Sequence, residues 1–176
     1  LGEYQPGEKI NLMYPLGNSF TIPLKNTRTL LIGGGVGVAP LLFLGGELKK
    51  RGIIPTFLLG ARSADDLKML DEFKQLGEVY VTTEDASMGE KGYVTNHSIL
   101  TEKLYDQIYT CGPKPMMMAV AAYAKNKDIA CEVSLENMMA CGVGACLCCV
   151  EKTVAGNVCV CTEGPVFNIK ELTWPI

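Results

Sequence analysis

Six of the eight cysteines lie in one stretch, Glu136 to Phe167. Three of them, Cys141, Cys146 and Cys149, are spaced C-x4-C-x2-C, the spacing of the first three ligands of a plant-type iron–sulfur loop. Gly142 and Gly144 fall inside that loop, where they allow the backbone to curl so that successive thiolates converge and N–H groups point at sulfur. Two further cysteines follow after a hairpin-like interval. Val158–Val160 reads as a strand, which puts Cys159 and Cys161 on one face, and either can supply a fourth ligand. Cys148 and Cys131 read as spare thiols. The plain alternative is structural zinc. Zinc favours paired C-x2-C knuckles or Cys/His mixtures, and this asymmetric pattern fits [2Fe–2S] better.

Composition narrows the setting. The chain has 176 residues, 48% hydrophobic and 20% charged, enough apolar material for a packed core. The net charge is −3 with no basic run, which gives no electrostatic case for nucleic acid or an anionic membrane surface. No apolar run approaches the ~20 residues needed to span a bilayer. The first residues do not resemble a signal peptide, and cysteines without an export signal indicate a reducing compartment, the cytoplasm, and metal ligation rather than disulfides. The single histidine, His97, excludes bis-His haem and Rieske centres and is expected on the surface near a helix start.

Upstream, short apolar runs alternate with helical stretches. Thr29–Ile32, Ile54–Leu59, Val79–Thr83, Gln107–Thr110 and Ile129–Val133 read as strands. Leu41–Arg51, a stretch from Ser63 to Leu76 opened by a capping-box variant, a short helix to Leu104 capped by Asn96 or Ser98, and Met116–Lys125 with Pro115 at its first position read as helices. This is the pattern of a doubly wound α/β fold: a five-stranded parallel sheet of order 3-2-1-4-5, covered by helices on both faces. Residues 27–135 form that domain, and 136–176 form a cysteine-rich subdomain. Residues 1–26, with a strand expected over Lys9–Tyr14, read as the tail of a preceding domain.

In such a sheet the ligand crevice lies at the strand ends where winding reverses, here between the first and fourth strands. The loops there are Gly33-Gly34-Gly35-Val36-Gly37-Val38-Ala39-Pro40 and Cys111-Gly112-Pro113. Gly33, Gly34, Gly35 and Gly37 let backbone N–H groups approach a pyrophosphate, and Pro40 is pre-set for the first helical turn. Cys111 either leans on a nicotinamide ring or is a small buried residue at a strand end. Arg62 could pair with a 2′-phosphate or be a solvated helix-start residue. Thr83 and Glu84 could bond ribose hydroxyls or form a polar loop. Met116, Met117, Met118, Met138 and Met139 read first as flexible packing.

The glycine loop, Cys111-Gly112-Pro113-x-Pro115-Met116, the cysteine loop and Cys161-Thr-Glu-Gly-Pro-Val-Phe167 together resemble, in that order, the electron-transfer subunits of class B dihydroorotate dehydrogenases, in the ferredoxin reductase superfamily. The resemblance covers essentially the whole chain. It implies a [2Fe–2S] cluster on Cys141, Cys146, Cys149 and Cys161, FAD, and NAD as co-substrate. It also implies an FMN-containing dihydroorotate dehydrogenase catalytic subunit as partner, two copies of each, in pyrimidine biosynthesis. No side chain need be a general acid or base. The family's FAD is held mainly by an N-terminal β-barrel with an Arg-Pro-x-Ser-type motif, which does not occur here. Tyr4–Pro23 resembles only the end of that barrel, so most of the flavin domain is expected to be missing. Exposed Met138, Met139, Val166 and Phe167 are expected to line the partner contact. Related NAD(P)H-linked ferredoxin or sulfide oxidoreductases share both loops and stand as an alternative, as does a non-catalytic zinc-stabilised binding module.

Overall fold

The structure is a computed structural model and describes residues 2–176. Five parallel strands form the centre of one sheet: β1 (Thr29–Gly34), β2 (Thr56–Ala61), β3 (Glu78–Thr83), β5 (Gln107–Cys111) and β6 (Ala130–Ser134). Their order, β3-β2-β1-β5-β6, is the 3-2-1-4-5 arrangement read from the sequence. The sheet is nevertheless seven-stranded. A two-residue parallel strand, β4 (Glu90–Lys91), extends one edge, and β9 (Val166–Asn168) pairs antiparallel with β6 at the other, with Val133 opposite Phe167. Both additions are too short to give a periodic sequence signal. A separate hairpin is made by β7 (Val150–Thr153) and β8 (Gly156–Cys159).

All of β1 is buried because both of its faces are covered. Leu30, Ile32, Leu58 and Ile108 point to one side, packed with α4 (Lys114–Asn126) and α3 (Ile99–Glu102). Leu31, Phe57, Leu59 and Tyr109 point to the other, with α1 (Val38–Lys50) and α2 (Leu70–Leu76). The α4 side continues without a break into the cysteine-rich region through Val160, Phe167, Ile169, Leu172 and Trp174. Met116, Met117 and Met118 belong to this packing, whereas Met138 and Met139 are exposed.

Several local expectations need correction. Ser63 to Leu76 is not one helix: a 3₁₀ turn covers Ala64–Asp66, the chain leaves helical geometry at Leu67, and α2 starts after Met69 in the left-handed region. The Ser63 hydroxyl meets the Asp66 carboxylate at 3.3 Å instead of capping. Pro115 occupies the second position of α4 rather than the first. His97 is buried, not on the surface. Its Nδ1 accepts the N–H of Ile99 at 3.0 Å, so the imidazole takes the place of the Asn96 or Ser98 side-chain cap expected for α3, and its ring packs edge-on against Tyr80.

Lys9–Tyr14 forms no strand, and its Leu12, Met13 and Tyr14 are exposed; among the described residues it has no strand to pair with. The N-terminal segment docks further along. The Asn18 side chain donates to the carbonyls of Glu163 and Val166 and accepts the N–H of Val166, each at 2.9 Å. Buried Glu132 accepts the Thr21 N–H at 2.9 Å and its hydroxyl at 2.6 Å, while the Tyr109 hydroxyl donates to the Thr21 carbonyl at 2.8 Å. Removing the hydroxyl strands a carboxylate oxygen that water reaches poorly. Thr21→Val is expected to cost about 1–3 kcal/mol in urea denaturation, with the native far-ultraviolet spectrum retained.

Candidate functional site

The two glycine-bearing turns meet at the ends of β1 and β5. Gly33 and Gly34 still belong to β1, and a 3₁₀ turn, Gly35–Gly37, leads directly into α1. At Gly37 the approach is backbone to backbone: a Cβ there would lie 2.5 Å from the carbonyl of Cys111 and the nitrogen of Gly112. Gly112 has φ +153, and a Cβ on it would strike the Gly34 carbonyl oxygen at 2.9 Å and the Met116 methyl at 2.7 Å. No other residue type fits either place.

A cleft of about 300 Å³ opens above this junction, lined by Gly34, Gly35, Val36, Gly112, Pro113, Lys114, Met117, Leu135, Glu136 and Asn137. Of the residues expected at a nucleotide, Gly34, Gly35, Gly112 and Pro113 line it. Gly33 and Gly37 build its floor, and Pro40 sits exposed in the first turn of α1. Cys111 does not line it: the thiol is packed with Leu31, Leu41 and Tyr109, and burial pushes its pKa up. Thr83 is also misplaced as a ribose contact. Its hydroxyl is buried and committed to Met88, donating to the carbonyl at 2.8 Å and accepting the N–H at 3.0 Å. Glu84 and Arg62 are exposed at the ends of β3 and β2, away from the cleft. Lys114, Glu136 and Asn137 were missed. The first is the variable position of the Cys-Gly-Pro-x-Pro motif, and the others open the cysteine stretch, where only the cysteines drew attention.

Glu151 on β7 ties this cleft to the cysteine region. It is buried and accepts from Asn137 Nδ2 at 3.1 Å, Trp174 Nε1 at 3.2 Å and Lys114 Nζ at 3.4 Å. Burial works to raise its pKa, but the donors from Asn137, Trp174 and Lys114 outweigh it and hold the carboxyl below its ordinary value.

From Cys141 to Cys149 the chain runs as successive bends and turns, with Gly142 at φ +69, Gly144 at φ +76 and Leu147 at φ +59. These conformations turn N–H groups toward sulfur. Cys141 Sγ accepts from Val143 and Cys146 at 3.4 Å, Cys161 Sγ from Gly144 at 3.3 Å, and Cys149 Sγ from Cys161 at 3.4 Å. N–H contacts thus link Cys146 to Cys141 and Cys161 to Cys149, with Cys148 also beside Cys146 and Cys159 also beside Cys149. The N–H of Cys148, with help from Cys141, brings the Cys146 thiol down to about 6. The N–H of Cys161 lowers Cys149, which in turn raises Cys161. Ligation requires all four protons to leave, and N–H donors aimed at sulfur favour that. Among the described residues no three ligand-type side chains converge closely enough to hold a metal ion.

Cys159 and Cys161 do not share a strand face as expected. β8 ends at Cys159, whose thiol points to the Gly144 carbonyl at 3.7 Å, and the turn beyond it delivers Cys161 to Cys149. Cys148 is exposed, and Cys131 is buried in β6 with its thiol pushed up to about 12 by burial.

Two family models match the chain. Residues 136–173 match the iron–sulfur cluster binding domain of dihydroorotate dehydrogenase B, and residues 31–122 match the oxidoreductase NAD-binding domain. The chain is 40% identical to the electron transfer subunit of dihydroorotate dehydrogenase B (NAD(+)) of Geobacillus sp. strain WCH70, covering 98% of this chain and 68% of the relative. The chain belongs to this family of electron transfer subunits. A second member, from Fusobacterium nucleatum subsp. nucleatum, is 39% identical over 95% of this chain and 66% of its own length, so the chain spans about two thirds of the relatives it matches. Among solved structures, that of an NADH-dependent reduced ferredoxin-NADP oxidoreductase has TM-score 0.82 at 34% identity, covering 94% of this chain and 60% of the other. The C-terminal domain of a Pyrococcus furiosus hydrogenase, at 16% identity and TM-score 0.56, covers 69% of this chain and all of that domain and shares the fold.

One expectation about the family's partner contact is overturned. Val166 and Phe167 are 7% and 5% exposed, because β9 turns them into the sheet edge and core, and they cannot line a surface. Met138 and Met139 are exposed as expected, and Val143 and Leu147 stand out beside them.

Cys161→Ser is expected to abolish stoichiometric iron and acid-labile sulfide in anaerobically purified protein. Cys159→Ser is expected to leave both at wild-type levels. Iron and sulfide analysis with the visible absorption spectrum checks both.

Proposed function

We propose that the chain is the electron-transfer subunit of a class B dihydroorotate dehydrogenase, carrying electrons from a dihydroorotate-oxidising FMN subunit to NAD in pyrimidine biosynthesis. The observation that carries the reading is two cysteine pairs, each furnished with N–H donors, on a hairpin that shares a buried carboxylate with a glycine-walled cleft. When bound, a [2Fe–2S] cluster on Cys141, Cys146, Cys149 and Cys161 supplies one-electron transfer, and FAD converts between single electrons and a hydride.

The chain's own residues bind and position. N–H groups of Val143, Gly144, Cys146 and Cys161 offset negative charge on sulfur. Gly35, with open space where a Cβ would stand, leaves room for a pyrophosphate near the start of α1. Lys114 adds a cation at the same mouth. Residues 1–26 serve as the end of the flavin-binding part, 27–135 as the NAD-binding part and 136–176 as the cluster-binding part. FAD is the family expectation, and residues 1–26 supply only the end of the barrel that would hold it. Eight thiols with no disulfide among the described residues suit the cytoplasm. No helix among the described residues is long and apolar enough to cross a membrane.

The partner meets the apolar rim of Met138, Val143 and Leu147, with two copies of each subunit in the assembly. Leu147 is 63% exposed and held in the left-handed region between two cysteines, a placement that costs conformational energy and presents an apolar side chain outward. A second reading, a subunit of an NAD(P)H-linked ferredoxin oxidoreductase, is favoured by the solved structure at 34% identity.

Anaerobic co-purification with the dihydroorotate-oxidising subunit tests the choice. Dihydroorotate is expected to bleach the cluster absorption only when that subunit is present. A red-brown complex that stays oxidised with dihydroorotate but is reduced by ferredoxin would establish the second reading. Zinc in place of iron and sulfide would exclude both and leave the zinc-stabilised module. Leu147→Asp is expected to weaken the complex by at least about tenfold in analytical ultracentrifugation while iron and sulfide content hold, since a charge would be desolvated at an apolar contact.

A further inference from the structure

Glu151 belongs to two places at once. It lies on the hairpin strand two residues after Cys149, and its side chain is only 10% exposed. Lys114 and Asn137, two of its three donors, also line the cleft between the glycine turns. Those donors are not equivalent. Half-buried Asn137 and buried Trp174 hold Glu151 at 3.1 and 3.2 Å, whereas Lys114 stands 3.4 Å from both carboxylate oxygens with its side chain 55% exposed. A long, half-solvated ion pair is worth little and exchanges easily. The Lys114 ammonium also lies 5.7 Å from the Trp174 ring centroid, a second weak contact on the Glu151 side.

We propose that Lys114 and Glu151 form an exchangeable ion pair through which nucleotide occupancy of the cleft sets the reduction potential of the cluster. This rests on the electron-transfer reading above and adds regulation to it. A pyrophosphate in the cleft competes with Glu151 for Lys114, the only ammonium among the described residues that line it. As Lys114 turns to the phosphate, Glu151 keeps Asn137 and Trp174 and stays charged, but its charge is no longer offset. An uncompensated carboxylate beside the Cys149–Cys161 pair opposes the arrival of an electron there, so the midpoint potential falls when nucleotide is bound. No bond forms or breaks. One electron enters or leaves, and the compensating motion is that of one positive charge. By linkage the reverse holds to the same factor: reduction draws Lys114 back to Glu151 and loosens the nucleotide. The reduced protein is therefore the stronger donor only when its acceptor is in place.

The test is an EPR-monitored redox titration of the cluster-loaded holoprotein with and without saturating ADP-ribose, which carries the pyrophosphate but no reducible ring. The wild-type midpoint is expected to fall on ADP-ribose addition. Lys114→Met is expected to bind ADP-ribose roughly tenfold more weakly and to lose the shift. Glu151→Gln is expected to lose the shift while binding ADP-ribose at least as tightly as wild type, because the competitor for Lys114 is gone. A merely structural role would not move affinity in opposite directions while removing the same shift. A wild-type midpoint indifferent to ADP-ribose overturns the proposal, as does a shift that survives Lys114→Met. Lys114 is more than half exposed, so its variant decides the matter even where Glu151→Gln fails to fold. Failure of cluster-loaded wild type to bind ADP-ribose at all would overturn the nucleotide reading itself, a result distinct from binding without a shift.

Discussion

Two pieces of backbone meet in this molecule with no side chain between them. Gly37, entering α1, lies against the peptide joining Cys111 to Gly112 at the end of β5. A single methyl group at that point would push the two turns apart and close the cleft above them, because packed interiors have no slack of that size. The requirement fixes more than one glycine. Gly34 and Gly112 must also be bare so that the Met116 side chain can fill the notch between them, which locks the start of α4 onto β1. The starts of two helices are therefore aimed at one space. Lys114, Asn137 and, through Glu151, the cysteine hairpin take their positions from that junction.

The cysteine region obeys a different constraint. Its thiols are close neighbours, so each deprotonation makes the next harder, as the opposed shifts of Cys149 and Cys161 show. The chain offsets this with backbone dipoles rather than with lysine or arginine, using turns in which successive residues leave ordinary helical or extended geometry. Amide dipoles stabilise sulfur-bound negative charge in either redox state and leave the outer surface apolar. That is a workable arrangement where one face must hold charge and the opposite face must meet another protein.

The parallel core was legible because strands covered on both faces leave short apolar runs, continuous in β1 and β2 and interrupted in β3, β5 and β6 by Thr82, Thr110 and Glu132. The edge strands were not, since Glu90–Lys91 and Val166–Asn168 are defined by what they lie beside. Val166 and Phe167 were read as surface for the same reason: nothing local tells an apolar pair on a loop from an apolar pair on a sheet edge. Cys141, Cys146 and Cys149 were evident from spacing. Cys161 was not separable from Cys159 by periodicity, because the strand that would have made them equivalent stops at Cys159. Thr83 and Cys111 occupied sensible positions at strand ends, yet their side chains turn inward to Met88 and to the α1-side core. Glu151 gave no signal: a lone acid in a short strand looks like solvent-facing charge until three donors surround it.

The antiparallel pairing of β9 with β6 has one more effect. The whole cysteine loop is spliced between these two strands, entering after Ser134 and returning at Val166. The closure of the sheet's edge and the gathering of the thiolates are thus one event in chain geometry. The Cys161 N–H that reaches the Cys149 sulfur lies shortly before β9, so the two ends of that span are fixed together. Without β9, β6 would present an unprotected row of N–H and C=O groups from Ala130 to Ser134, a ready template for another chain. The returning end of the cysteine loop is thus also the shield of this sheet edge.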